Sequence, residues 1–378
     1  MNHKHLQEII NRYLELFPET NGPVHREYYK WQIAYDFRPM MDDALSAPDE
    51  VFSSKLYEVK KCTENIIDSY TTPFNGLVEF SKKEPSTVRD MFNTLFQAAE
   101  ADVNSKQEAI QSFLDKSHEL REKYYPDSHF YKDDMHSVTG YLFLYDPDHN
   151  YLFKPTHCRD FADCVEFYDD WGSGENTKLD VFFRMCDETL NELKKNDALL
   201  AAAASRFELT PEPMHPDTEK HILLFDLIYC CKCYNLFKGI HYVVPKNNER
   251  KLIQERKEKA KMLSDNLDRA KQRLEELDEA KKYIAQVFQP GTAVNHRSFG
   301  KGCISETNGA KFTVKFASGE EKQLDAISCV ANAFVMLENS EVQLRLNGYR
   351  TILSQDRDIR DSINNAEKAL LPYVEYLE

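Results

Sequence analysis

Two heptad seams flanking a glycine-dense stretch constrain this chain more than any other feature of its sequence. From Asn248 to Phe288 there is no Gly and no Pro. A 3-4 spacing through that segment selects Ile253, Arg256, Ala260, Leu263, Leu267, Ala270, Leu274, Leu277, Lys281, Ile284 and Phe288, nine of eleven apolar. That is the pattern of a coiled-coil helix. A second seam, again nine of eleven apolar, runs through Val342, Arg345, Tyr349, Ile352, Asp356, Ile359, Ile363, Ala366, Leu370, Tyr373 and Leu377. Two such helices around a compact insert predict an antiparallel hairpin, an arm of roughly 60 Å. Dimerisation through either helix is the alternative, so a homo-oligomer stays open.

The insert, residues 290–334, holds five glycines within 29 residues: Gly291, Gly300, Gly302, Gly309 and Gly319. Short strands are expected at Thr292–Asn295, Cys303–Glu306, Lys311–Phe316 and Lys322–Leu324. Phe312, Val314 and Phe316 alternate with Lys311, Thr313 and Lys315, and Asn308-Gly309 and Ser318-Gly319 are turn signals. Strands this short between glycine turns predict a small SH3/Tudor-like barrel. The domains expected are therefore 1–247, a long helix over 248–289, the barrel over 290–334 and a return helix over 335–378.

Residues 1–247 carry 27 Lys+Arg against 42 Asp+Glu, a net of −15, while residues 248–378 carry 21 of each. An acidic surface is a poor partner for a polyanion, so nucleic-acid contact is expected only from the C-terminal third. Helical periodicity marks residues 3–17 (stopping at Pro18), 53–70, 85–96 and 106–124, then about 157–166, 178–195 and 219–237. Tyr141–Tyr145 and Tyr151–Phe153 flank the turn-like Asp146-Pro147-Asp148-His149-Asn150, which predicts a β-hairpin near 141–153. The fold class expected is mainly α with small β (α+β). No run approaches a membrane span, and the N-terminus reads as an amphipathic helix without a signal peptide, so a cytoplasmic protein with no membrane contact is expected. Nine irregularly spaced cysteines suit reduced, buried thiols.

The segment GTAVNHRSFGKGCI with the later FTVKF, matching at Gly291, Val294, His296, Phe299, Gly300, Gly302, Ile304, Val314, Phe316 and Gly319, resembles the Tudor-like C-terminal module of UvrD/PcrA-type helicases. That family's module contacts RNA polymerase or nucleic acid, so the resemblance implies docking, here without the helicase motor. Glu27–Trp31, Thr87–Phe92 with Leu95-Phe96, and Tyr151–Lys154 resemble the N-terminal regions of McrB-type restriction AAA+ proteins. This implies a bacterial antiviral-defence or DNA-restriction setting. The chain has no GxxxxGK[ST], so no phosphate-cradling loop and no nucleotide motor are expected.

Four groups of residues invite chemistry. Cys230-Cys231-Lys232-Cys233, with Cys158, Cys164, His157 and His221, offers zinc ligands, but inside an apolar helix the thiols read as packing. The acidic loop Asp169–Asn176 lacks EF-hand spacing and reads as a turn before a helix. Pro48-Asp49 with Glu58 and Lys60 imitates a PD…ExK nuclease, but helical residues two apart face different ways. His296, Arg297, Phe299 and Lys301, between the first two barrel strands, are the binding residues expected, although Phe299 also reads as a core plug. The function expected is a non-enzymatic adaptor whose barrel docks a protein or nucleoprotein partner, such as a motor ATPase, nuclease or polymerase complex, with no catalytic residue, metal or cofactor. A metal-dependent nuclease dispersed over the N-terminal domain is the alternative.

Overall fold

The computed structural model describes residues 1–22, 24–67 and 70–377. The chain separates into two compact units, Met1–Lys251 and Leu252–Glu378. Helix dominates, with one small antiparallel sheet, so the protein is mainly α with small β.

The first unit is built from α1 (His3–Thr20), α2 (Tyr29–Ser46), α3 (Asp49–Ile67), α4 (Pro73–Ser81), α5 (Pro85–Gln97), α6 (Val103–Tyr124), α7 (Met135–Tyr145), α8 (Pro155–Cys164), α9 (Leu179–Leu193), α10 (Asp197–Ser205) and α11 (His221–Cys233). Pro18 lies inside α1, and the Thr20 hydroxyl and Asn21 amide donate to the Phe17 carbonyl, closing the final turn beyond the proline. The helix expected over 53–70 starts earlier, at Asp49; residues 68 and 69 lie outside the described residues. As the sequence suggests, α11 is buried nearly all round, through Ile222, Leu223, Leu224, Phe225, Leu227 and Ile228.

The β-hairpin expected near 141–153 is not there. Tyr141–Tyr145 belongs to α7, Pro147–His149 forms one 3-10 turn, and Tyr151–Phe153 joins no ladder. Asp134 and Ser137 form a reciprocal capping box that starts α7. Every residue from Met135 to Leu144 is buried, so no polar face betrays the helical period. Tyr141 packs against Phe74, Phe92 and Phe113 at ring separations of 5.1, 5.7 and 5.8 Å, at the centre of the aromatic core.

The long helix α12 (Asn247–Val287) supplies the arm of the second unit. There follow β1 (Ala293–His296), β2 (Gly300–Asn308), β3 (Lys311–Phe316), β4 (Glu321–Asp325), α13 (Ala326–Ala331), β5 (Val335–Leu337), α14 (Ser340–Ser354) and α15 (Asp356–Leu370). The return helix expected as one piece breaks at Gln355, where the Gln355 N–H bonds the Ile352 carbonyl. The two arms run antiparallel. Tyr283 meets Tyr349 at 5.8 Å, Arg273 donates to Gln355 and Arg256 to the Tyr376 hydroxyl, while Lys281 pairs with Asp356. Ala260, Leu267, Leu277, Ile284 and Phe288 of the first seam are buried, as the heptad requires.

The sheet order is β4-β3-β2-β1-β5, antiparallel throughout, with β4 and β5 at open edges. The fifth strand lies beyond the expected boundary at 334. Val294, Ile304, Phe312, Val314 and Phe316 face a core shared with Ile284, Phe288, Cys329, Val330 and Leu346. Gly302 is obligatory there, because a Cβ would come within 2.5 Å of Val314 and 2.9 Å of the Lys315 carbonyl. No helix among the described residues is long and apolar enough to cross a membrane. Six of the nine cysteines are buried, consistent with thiols acting as small hydrophobes.

Candidate binding face

The sequence-selected residues sit around a tight hairpin. β1 ends at His296, Arg297-Ser298-Phe299 form the turn, and β2 begins at Gly300, whose φ of +74° suits a residue without Cβ. His296 is buried, and its Nδ1 accepts the Ser298 N–H at 3.1 Å, leaving Nε2 as the protonated nitrogen of a neutral ring. Burial holds its pKa below the ordinary imidazole value, so the ring stays neutral near pH 7.

Phe299 is not a core plug: it is 38% exposed. Its ring lies 4.7 Å from His296 and 5.3 Å from Phe316, capping the core from outside, with the Lys322 ammonium 5.6 Å from its centroid. The three-residue turn lifts the ring over the sheet end and leaves it part-exposed. Phe334, 41% exposed, approaches His296 at 6.2 Å, and its carbonyl accepts the Arg297 N–H at 2.7 Å.

The structure therefore unites His296, Arg297 and Phe299 and separates Lys301. Lys301 lies on β2 opposite Asn295, which faces Met336 on the other side; residues paired directly across strands share a face. His296, one residue along from Asn295, points to the opposite face. Lys301 instead lies 3.8 Å from Glu338, both largely exposed, a contact worth little. Phe334 was missed because the β5 segment reaches β1 from about 40 residues downstream. The available signal was the apolar run Phe334–Leu337 just before the helix-capping Asn339.

The other groups separate in the fold. In the acidic loop, Asp169 pairs with Arg184 at 2.7 Å, Asp170 accepts the Gly172 N–H, and Glu175 turns to Lys132. Three carboxylates with three separate partners make no cation cradle. Of the nuclease-like spacing, Asp49 pairs with Arg89 and Glu58 with Lys61, so each carboxylate is engaged by a different cation. Cys230 and Cys231 are buried, while the exposed Cys233 meets His157 Nε2 at 3.7 Å. Burial, with Lys154 and Lys232 nearby, pushes His157 down to about 4. Among the described residues, Glu100, Asp146 and His149 form the single metal-capable grouping, their ligand atoms within 4.8 Å of one another. His149 Nδ1 is already 2.9 Å from Asp146 and Glu100 is exposed, a hydrogen-bonded pair beside a surface carboxylate.

No family model, curated protein or solved structure matches this chain. The resemblances to the helicase module and to McrB-type N-terminal regions rest on their quoted residues alone.

Proposed function

We propose that this protein is a non-enzymatic binding protein whose C-terminal sheet is an SH3/Tudor-like module, an incompletely closed barrel docking a protein partner. The observation that carries the reading is the pair of exposed rings, Phe299 and Phe334, beside a neutral buried His296. Large aromatics held at low entropy cost are the anchors of protein interfaces. The rim is basic, with exposed Arg297 and the Lys322 ammonium near Phe299, so the partner segment is acidic with an apolar anchor. A cytoplasmic adaptor in a bacterial defence setting, as the McrB-type resemblance implies, is consistent with this reading.

The second reading, single-stranded nucleic acid, is favoured by the same rings beside Arg297 and Lys322, which suit base stacking. The −15 of residues 1–247 argues for protein. The test compares the proteins captured from native lysate by wild type and by Phe299→Ala/Phe334→Ala, before and after nuclease treatment. Loss of a nuclease-resistant partner from the folded double variant supports protein docking. An unchanged captured set with a folded variant overturns it.

A further inference from the structure

A cavity of about 540 Å³ opens in the first unit between α8, the loop around Gly172 and the first turn of α12. Its size falls in the range of small-molecule sites. Arg159, Arg250, Lys251, Ser173 and Asn248 are among the residues that line it.

The two arginines are unusual. The Arg250 side chain is 5% exposed, with Nη2 bonded to Asp163, while its Nη1 is buried with no hydrogen-bond partner. Arg159 stacks on Trp171 at 4.0 Å and donates from Nη2 to the Gly172 carbonyl at 3.3 Å; its Nη1 is likewise buried and unpartnered. Burial first, then the charge of Arg250, pulls the Arg159 pKa down, so the two guanidiniums feel each other. Buried charged donors without acceptors are costly, and native folds rarely retain two in one place without use. The carboxylates here relieve them only in part: Asp163 bonds Arg250 Nη2 and, with Asp170, offsets some of the Arg159 charge, Asp170 also accepts the Gly172 N–H at 3.0 Å, and neither carboxylate bonds either Nη1. Three cations thus face two occupied anions, at the positive end of the 41-residue α12.

We propose that this cavity binds a phosphate-bearing small molecule, whose oxygens take the two vacant Nη1 donors while Lys251 closes the open side. Arginine forks match phosphate geometry, and a helix N-terminus adds to the same field. The class is a phosphomonoester or diphosphate, with inorganic phosphate as its minimal form. The site is independent of the docking face and uses none of its residues.

The full-length protein is titrated calorimetrically with inorganic phosphate, pyrophosphate and AMP at matched ionic strength, with acetate as the control anion. Saturable binding of at least one phosphate-bearing probe, in the millimolar range or tighter, is expected, with acetate silent. Arg159→Gln should weaken it by about tenfold or more, as expected for loss of a charge-assisted hydrogen bond. Should that variant fold poorly, Lys251→Glu serves: Lys251 is exposed, so the fold survives while the reversed charge weakens binding. A gain for AMP over inorganic phosphate supports an organic phosphate ligand. Absence of saturable phosphate binding to wild type, or equal affinity in a folded variant, overturns the proposal.

Discussion

Lys30 Nζ lies 2.5 Å from Asp226 Oδ1, with neither side chain reaching solvent. Glu27 also accepts from Lys30, at 2.7 Å, and Arg206 and the Tyr13 hydroxyl share the other oxygen of Asp226. Burial works against the Asp226 charge, but Lys30 and Arg206 outweigh it and hold the carboxyl below its ordinary value. The network ties α1, α2, α11 and the turn after α10 together inside the core. Such a network contributes little net stability as a whole, yet losing one member leaves an uncompensated charge.

Lys30→Met should therefore destabilise the first unit by about 3 kcal/mol, the low end for a broken buried pair because Arg206 still faces Asp226. Lys30→Met combined with Asp226→Leu should cost less than the sum of the singles, by about 1 kcal/mol or more. Urea unfolding of the four proteins checks this. Strict additivity would mean that the two charges are not coupled.

Acid should destabilise the first unit through a buried histidine. Burial pushes His136 down to about 4 from an ordinary 6.5, and its Nε2 lies 3.1 Å from the Ile66 carbonyl. The unfolded chain binds the proton first, so the contribution is complete above pH 6.5 and is lost as pH falls towards 4. The difference is on the order of 3 kcal/mol. His136→Gln, which keeps a donor for Ile66, should flatten the melting-temperature profile in that window. An unchanged profile would assign the acid sensitivity to other groups.

The sequence exposed the second unit better than the first, for a physical reason. The two seams announce helices that pack on each other: Lys281 of the first pairs with Asp356 of the second, and Tyr349 of the second meets Tyr283, one residue before the first-seam Ile284. β3 was read to the residue, Lys311–Phe316, because alternation and glycine turns bound it on both sides. By contrast, the Tyr141–Tyr145 run is apolar in either period, and burial on every side of α7 erased the distinction. The docking face was half legible: His296, Arg297 and Phe299 share one turn, whereas Phe334 arrives with the non-local pairing of β5 with β1. The paired arginines of the cavity were not legible at all, since 91 residues separate Arg159 from Arg250 and neither belongs to a motif.

The hairpin should be stable without a second copy of the chain. Leu346 is buried in the core that contains Ile284 and Leu353, whereas Leu344 is 74% exposed on the same helix. Leu346→Ala should cost about 2–5 kcal/mol and Leu344→Ala within about 0.5 kcal/mol. The melting temperature of the second transition should not change with protein concentration. A rise with concentration would show that dimerisation contributes to the coiled coil.

The final prediction separates the two roles available to a phenylalanine on this sheet. Phe312 is buried against Phe288 at a ring separation of 5.0 Å, while Phe299 covers the His296 edge with one side open. Phe312→Ala removes a filled volume from the core and should cost about 3–5 kcal/mol. Phe299→Ala removes a partly wet ring and should cost about 1–2 kcal/mol, since less of its area leaves water on folding. Arg297→Glu and Lys301→Glu should each stay within about 0.5 kcal/mol, being exposed charges without a strong partner. Binding should rank differently from stability. Phe299→Ala should weaken partner capture most among the folded variants, because it removes the anchor. Arg297→Glu should slow association and lower its salt dependence, because it reverses a rim charge that attracts the acidic partner. Lys301→Glu should change capture little, because that side chain lies with Asn295 and Met336 on the other face. Melting curves and surface-plasmon association rates on the four variants give both rankings. If Lys301→Glu abolishes capture while Phe299→Ala leaves it intact, the docking surface is the Met336 face and not the one around His296.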